Sequence, residues 1–496
     1  MSNFSQSQIM LSLALLSYRG FWNPGSDNRH GMAQAVVDGL DQLEPLKGDW
    51  NLLWGPGTYR YLGSVFDSSM MYVVQHRKAV GRYAIVVRGT NPVALFDWML
   101  GDFLSHRQVP WELCSSGIAP QASLSLSTAL GLKILLNMRA GHGPVDMVQA
   151  GKFSSLLDLG MRALSTAKGA GGAGLATAGE AVNSTAAGVV QEGAARLIGG
   201  LQKYQGQWSF ADKVADAVIS AIGNSLPLED MAGRLTFRQQ MVSLLDASLN
   251  TVSDDAPVAM LMPAPDELSQ EQPPGIGLLE LLGNLAAGHG DALELFVTGH
   301  SKGGALAPAL ALFLSDTQNS DKISVPSHYQ WNPHGKATIH CYSFAAPTPG
   351  NSAFADYFNQ QLGRNFYRYA NKLDLVTHAW HSAQLRKTGG IFGDAISAPP
   401  GLDLLFNQMA DEVADMDYCH LGQDYAEPGF INNHTEKHVV EFSAPLRENN
   451  SSYLSQAIHQ HVGGYIDVLG LDRFFDLQEL MGLGTGGRAQ GARETS

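Results

Sequence analysis

The chain has 496 residues, of which 45% are hydrophobic and 16% are charged. This composition supplies enough apolar surface for a buried core and excludes a wholly disordered protein. The formal net charge is −14, from 32 Lys and Arg against 46 Asp and Glu. With no run of basic residues, such a chain would be repelled by phosphates, which argues against nucleic acid as a partner.

The cysteines and the N-terminal region give information about the cellular compartment of the protein. Cys114, Cys341 and Cys419 are too few and too scattered for a disulfide framework or a zinc cluster, so reduced thiols are predicted. The apolar run at 10–16 has no positive charge before it and no clear cleavage site after it, and it is predicted to be an amphipathic helix. No stretch approaches the roughly 18 apolar residues of a spanning helix. Localisation stays open between the cytoplasm and export without a cleaved leader.

Residues 1–114 are predicted to form the N-terminal part of an α/β core. Two β-branched and aromatic runs, at 70–74 and 83–87, are typical of buried strands. The second run ends in the turn-prone sequence Arg88-Gly89-Thr90-Asn91-Pro92.

Residues 115–275 change to an Ala/Gly-rich pattern and are predicted to be a helical insertion. Glycine costs a helix about 1 kcal/mol relative to alanine, so these helices need close packing partners. One interpretation is packing through small residues, and the other is a lid that covers a site and touches a membrane.

Residues 276–480 return to alternating helix and strand patterns, beginning with a helix at Leu278 and a strand at 293–298. This alternation predicts an α/β fold with a mainly parallel sheet flanked by helices. The last residues, 481–496, are predicted to be a flexible tail.

The most informative motif is G-H-S-K-G at 299–303. A predicted strand leads into it and an alanine-rich helix leads out, which is the strand-turn-helix context of a nucleophile elbow. Gly299 and Gly303 would relieve collisions around a strained Ser301, and the helix N-terminus would stabilise negative charge. His300 is interpreted as a packing or orienting residue, because it adjoins the nucleophile at a sharp turn.

These residues resemble the elbow of the class 3, fungal-type lipases, a branch of the α/β-hydrolases, with Lys302 where that family usually has leucine. The resemblance continues through 342–354 and 367–376, and it includes Arg88-Gly89-Thr90. It covers about 60–113 and 276–465. The resemblance implies an α/β-hydrolase fold, a Ser-Asp-His chain order and hydrolysis of acylglycerol or phospholipid esters.

Asp374 is the predicted acid, because it follows a strand pattern and matches the Asn-x-x-Asp-x-Val pattern of the resembled family. Asp394 and Asp403 remain substitutes. His461 is the predicted base, since the resembled family places its base ahead of an aromatic residue near the final helix. The sequence leaves further histidines open, namely His459, His438, His434 and His420. His378 and His381 lie too near the acid strand to satisfy the usual order.

The oxyanion hole is predicted to use the backbone N–H of Lys302 and a donor from Thr90, which matches the Ser/Thr after Arg-Gly in the resembled family. The resulting hypothesis is a serine ester hydrolase that uses an acyl-enzyme, without metal or organic cofactor, on lipid esters at a membrane or emulsion interface. The alternatives are a soluble esterase or thioesterase for short acyl groups, and a non-catalytic lipid-binding or membrane-perturbing protein. Acyl preference and oligomeric state are undetermined.

Overall fold

The computed structural model describes a large part of the chain, in ranges with several gaps. The described residues are 4–19, 28–59, 69–89, 105–111, 119, 121–140, 275–289, 293–318, 329–333, 335, 337–394, 396, 398, 402–422, 428–431, 434–447 and 453–480.

The strands are, in chain order, β1 (Trp50–Tyr59), β2 (Ser69–His76), β3 (Arg82–Val87), β4 (Gln108–Pro110), β5 (Ser123–Ser125), β6 (Arg139–Ala140), β7 (Ile276–Gly277), β8 (Glu294–His300), β9 (Thr338–Phe344), β10 (Gly350–Asn351), β11 (Phe366–Asn371), β12 (Tyr418–Cys419), β13 (Pro428–Ile431), β14 (His434–Lys437) and β15 (Val439–Phe442). The helices are α1 (Gln6–Leu16), α2 (Asn28–Gln42), α3 (Leu126–Asn137), α4 (Leu278–His289), α5 (Lys302–Thr317), α6 (Ser352–Leu362), α7 (Ser382–Leu385), α8 (Leu402–Glu412), α9 (Tyr453–Ile458), α10 (Gly464–Val468) and α11 (Leu477–Leu480). Single turns of 3₁₀ helix lie at Gly363–Asn365, Leu375–His378 and Thr388–Gly390, and a π-helical turn lies at His459–Gly463.

The central sheet has seven strands in the order β1-β2-β3-β8-β9-β11-β15. β1, β2 and β3 pair antiparallel, whereas every pairing from β3 to β15 is parallel. The predicted α/β fold with a mainly parallel sheet is therefore confirmed. Because parallel strands end at a common edge, the segments that follow β3, β8 and β11 meet at one edge of the sheet.

Both faces of the sheet are buried, as alternate strand residues show. In β8, Leu295 and Val297 belong to one apolar cluster, together with residues of α3, α4, α5 and α6. Phe296 belongs to a second cluster on the opposite face, with residues of α1, α2, α10 and α11. The period of two along the strand therefore places helices on both sides.

Helix α1 differs from the predicted amphipathic helix, because it is buried on nearly all of its faces. It lies against the sheet, where the Thr298 hydroxyl donates to the Met10 carbonyl over 3.3 Å and the Tyr72 hydroxyl donates to the Leu13 carbonyl over 2.6 Å. On its other side the Gln8 amide donates to the Leu469 carbonyl over 2.8 Å. Among the described residues, no helix is long and apolar enough to cross a membrane.

The first part of the segment predicted as an insertion packs within the main core. Helix α3 contributes Ala129, Leu132 and Leu135 to the cluster that holds α5. Strand β5 joins a second, four-stranded sheet of order β12-β10-β5-β4. Residues 141–274 and the predicted tail at 481–496 lie outside the described residues, so the lid and the domain boundaries stay predictions.

The C-terminal end of α5 holds a buried carboxyl group. Asp316 accepts hydrogen bonds from Trp111 Nε1 and from the Tyr357 hydroxyl, each over 3.0 Å. Burial raises the pKa of Asp316 to about 7, and the two hydrogen bonds only partly oppose this rise. The folded state therefore keeps a proton that the unfolded chain releases near pH ~4.

From this difference we expect Asp316 to lower the free energy of unfolding as the pH rises from about 4 to about 7. The folded state binds more protons than the unfolded state in this interval, and the slope is roughly 1.4 kcal/mol per pH unit. Urea unfolding at several pH values should show that the free energy of unfolding of Asp316→Asn, relative to that of the wild type, increases with pH over this interval. Asp356→Asn, at an exposed position of α6, is the matched control, and equal slopes in all three proteins would contradict the assignment.

Candidate active site

The turn between β8 and α5 consists of one residue, Ser301. Its backbone has φ 63° and ψ −133°, a conformation that L residues rarely adopt and that costs about 1–3 kcal/mol. The turn is held because the Ser301 N–H donates to the Phe344 carbonyl over 3.0 Å and the Ser301 carbonyl accepts from the Gly304 N–H over 2.8 Å. The side chain is therefore fixed at the N-terminus of a buried helix, where the helix dipole favours negative charge.

The glycines of the motif are required by close backbone contacts. A Cβ atom on Gly299 would lie 2.2 Å from the Gly303 carbonyl oxygen, and one on Gly303 would lie 2.3 Å from the Val87 carbonyl oxygen. One on Gly304 would lie 2.5 Å from the Phe344 carbonyl oxygen. Backbone atoms cannot move aside as a flexible side chain can, so α5 approaches the sheet this closely only with glycine at these positions.

Gly303→Ala is expected to destabilise the fold by roughly 3 kcal/mol, because the added methyl group collides with the end of β3. Thermal and urea unfolding would measure the loss. Gly288→Ala in α4 is the control, since a Cβ there meets no atom within 4 Å and alanine is the better helix former. If both variants were as stable as the wild type, the packing account of the elbow would be wrong.

Asp374 and His461 form a buried pair at the same edge of the sheet. Asp374 follows β11 and is held in place by the Val376 N–H, which donates to Oδ1 over 3.0 Å. His461 Nδ1 lies 3.0 Å from both carboxylate oxygens, and both side chains are almost wholly buried. A carboxylate only accepts, so Nδ1 carries the proton and Nε2 keeps its lone pair. His461 Nε2 is buried and has no hydrogen-bond partner among the described residues.

Tyr465 is a further contact of Asp374 that the sequence did not reveal. Its hydroxyl donates to Asp374 Oδ2 over 3.0 Å and accepts from the Asn371 N–H over 2.9 Å. Burial, together with the charge of Asp374, raises the pKa of Tyr465 well above its usual value. The phenol therefore stays protonated and remains a donor to the carboxylate.

His461 lies on the π-helical turn between α9 and α10. Such turns displace the backbone by one residue and are frequent at functional sites. The end of β11 holds this turn, because the Asn371 side-chain amide donates to the Gln460 carbonyl over 2.9 Å and to its side-chain oxygen over 2.7 Å.

The other candidate histidines have different surroundings. His459 Nε2 lies 3.3 Å from the Pro445 carbonyl, His438 Nδ1 lies 3.0 Å from the Phe366 carbonyl, and His420 Nε2 lies 3.1 Å from Gln384 Oε1. His378 contacts the Lys372 carbonyl, and His381 stacks against His420 at 6.2 Å between ring centroids. The side chain of His434 lies outside the described residues. The substitute acids Asp394 and Asp403 are both exposed.

The segment after β3 runs against the elbow. A Cβ atom on Gly89 would lie 2.4 Å from the His300 carbonyl oxygen and 2.8 Å from the Ser301 Cβ. Lys302 is the first residue of α5, so its backbone N–H belongs to the helix turn beside Ser301. Thr90, the other predicted oxyanion donor, lies outside the described residues.

His300 faces His461 rather than solvent. Its Nε2 lies 2.8 Å from the His461 carbonyl oxygen, and the two rings lie 4.8 Å apart between centroids. Burial holds the pKa of His300 well below its usual value, and the charge of His461 lowers it further. Among the described residues, no group of three or more His, Cys, Asp or Glu side chains could hold a metal ion.

The architecture is a lipase-like α/β-hydrolase fold. Residues 277–382 match the family model described as Lipase (class 3), a range that includes Ser301 and Asp374 and ends before His461. The crystal structure of M37 lipase superimposes with a TM-score of 0.59 at 22% sequence identity, covering 96% of this chain and 97% of that chain. At this level of identity the likeness shows the fold. A comparison with curated protein sequences finds no match.

Proposed function

We propose that the protein is a serine hydrolase of lipid carboxylic esters. The observation that carries this proposal is the buried His461–Asp374 pair at 3.0 Å, which lies at the same sheet edge as the strained Ser301 turn. His300 Nε2 contacts the His461 carbonyl oxygen, so the elbow is in direct contact with the segment that carries His461. In this proposal Ser301 is the nucleophile, His461 the general base and acid, and Asp374 the residue that fixes the His461 tautomer.

The proposed reaction has two halves. Ser301 Oγ attacks the ester carbonyl carbon while His461 Nε2 accepts the hydroxyl proton, and collapse of the tetrahedral intermediate expels the alcohol, which takes that proton. A water molecule then attacks the acyl carbon with His461 Nε2 accepting its proton, and His461 returns this proton to Ser301 Oγ as the bond from Oγ to the acyl carbon breaks and the carboxylic acid leaves. The backbone N–H of Lys302 and a donor from Thr90 are the proposed oxyanion hole.

The lipid part of the proposal is supported by the match to the class 3 lipase family model and by the fold. Ser301 is only 2% exposed, and a lid that opens at an interface would let an ester reach it. Residues 126–137 of segment 115–275 pack in the core as α3, so the proposed lid is the later part of that segment, residues 141–274.

Hydrolysis of esters with increasing acyl length, below and above the concentration at which they form an emulsion, tests the substrate class. A lipid-ester hydrolase is expected to prefer long chains and to gain rate when the emulsion forms. A preference for short, dissolved esters with no gain would favour a soluble esterase. Membrane binding without any hydrolysis, retained in Ser301→Ala, would favour a non-catalytic lipid-binding protein.

A further inference from the structure

A tyrosine from the N-terminal helix region reaches the centre of the site. Tyr18 follows α1 and is buried, and its hydroxyl lies 3.2 Å from His300 Nδ1 and 3.4 Å from the His300 carbonyl oxygen. The same hydroxyl lies beside Gly89, where an added Cβ atom would be 2.7 Å from it. One side chain therefore contacts both the segment after β3 and the elbow.

The His461 carbonyl oxygen, which contacts His300 Nε2, determines which atoms donate in this chain of hydrogen bonds. The His461 carbonyl can only accept, so His300 Nε2 carries the proton and donates over 2.8 Å. A neutral imidazole then has its lone pair on Nδ1, which accepts from the Tyr18 hydroxyl. Burial raises the pKa of Tyr18 well above its usual value, although the charge of Arg88 opposes this, so the phenol keeps the proton that it donates.

We propose that Tyr18 and His300 are positioning residues that hold the backbone of the base turn against the elbow and the oxyanion segment. The inference rests on the proposed hydrolase function. Tyr18, which follows α1, donates to His300 Nδ1. His300, the residue before Ser301, donates from Nε2 to the His461 carbonyl. The Tyr18 hydroxyl and both ring nitrogens of His300 are engaged in these hydrogen bonds, so both residues act on the rate through the placement of His461.

The π-helical turn explains why such a support is needed. A π-helical turn interrupts the regular α-helical hydrogen-bond ladder, and the ring of His461 lies on it. The Asp374 carboxylate holds one edge of that ring, whereas the backbone that carries it is held by His300 at His461 and by Asn371 at Gln460. A neutral His300 also avoids a second positive charge beside His461 when that ring accepts the serine proton.

The first test compares two buried tyrosines, Tyr18, which follows α1, and Tyr72, whose hydroxyl contacts α1. Tyr18→Phe is expected to lower kcat about tenfold with little change in KM, because a small displacement of a catalytic group is costly. Tyr72→Phe removes the hydroxyl that donates to the Leu13 carbonyl over 2.6 Å and is the control. It should lose thermal stability to a comparable degree and keep its kcat within about twofold.

The second test asks whether the donor of His300 matters or only its volume. His300→Gln carries an amide donor that can reach the His461 carbonyl, whereas His300→Leu fills space without a donor. We expect kcat to fall about a hundredfold in His300→Leu and to recover to within about tenfold of the wild type in His300→Gln. If His300→Leu does not fold, the two tyrosine variants decide the question.

The outcomes separate this inference from the function on which it rests. A wild type that neither hydrolyses esters nor reacts with a fluorophosphonate would refute the proposed function. An active wild type in which Tyr18→Phe matches Tyr72→Phe in kcat, or in which His300→Gln is as slow as His300→Leu, would overturn the positioning role alone.

Discussion

Ser301→Ala is expected to reduce ester hydrolysis by roughly 10⁶-fold, the order seen when a triad serine is removed from a serine hydrolase. Without the hydroxyl no acyl-enzyme forms, and the remaining site only polarises the carbonyl for attack by water. The variant should fold normally, since Ser301 holds the elbow through its backbone N–H and carbonyl. Circular dichroism and thermal unfolding check the fold, and initial rates check the loss.

Ser382→Ala is the matched control for this experiment. Its hydroxyl donates to the Ala410 carbonyl over 2.9 Å, within the segment of α7 and α8. This variant should keep a rate close to that of the wild type. Retention of more than about a hundredth of the wild-type rate in a pure preparation of Ser301→Ala would remove Ser301 from the role of nucleophile.

Asp374→Asn is expected to lower kcat by about 10⁴-fold with little effect on KM. The asparagine side chain has nearly the same shape, but its amide can donate to His461 Nδ1 and thereby favour the tautomer whose Nε2 carries the proton. That tautomer cannot accept the proton of Ser301. The loss should therefore appear in kcat, in a protein that still folds.

The two substitute acids provide controls for this variant. Asp394→Asn and Asp403→Asn alter exposed carboxylates and should leave kcat unchanged. If one of them were as slow as Asp374→Asn, or if Asp374→Asn kept most of its activity, the 3.0 Å pair with His461 would not be the catalytic acid–base pair.

The elements that were predictable from the sequence are those with a strong local pattern. The apolar runs at 70–74 and 83–87 lie within β2 and β3, and the strand predicted at 293–298 overlaps β8, which begins at Glu294. β-Branched and aromatic residues fit the pleated, buried surface of a strand. Such runs therefore predict strands without knowledge of the tertiary structure. The parallel arrangement followed from the alternation of strands and helices.

Features that depend on distant contacts were not predictable in the same way. Whether α1 has an exposed face depends on what covers it, and the structure covers nearly all of it. Residues 126–137 fall within the predicted insertion, yet as α3 they pack in the core with α5. Hydrophobic periodicity shows which residues are apolar, but it does not predict which element they will contact.

The candidate site likewise combines residues that a local sequence pattern predicts with residues that only distant contacts bring together. Gly299, Ser301 and Gly303 form a local pattern, because the elbow is made from adjacent residues. His461 meets Asp374 across 87 residues, and Tyr18 meets His300 across 282 residues. With 16 histidines in the chain, residue type alone could not single out the one that contacts the acid, and nothing local marked Tyr18 as part of the site.

Peptide mapping by mass spectrometry after treatment with a fluorophosphonate is the most direct test of the proposed nucleophile. The reagent phosphonylates a serine only where a neighbouring base activates the hydroxyl. The account predicts one adduct, on Ser301, formed in parallel with the loss of hydrolysis and absent from Ser301→Ala. An adduct on a different residue of an active protein, or full hydrolysis in a protein that carries no adduct, would contradict it.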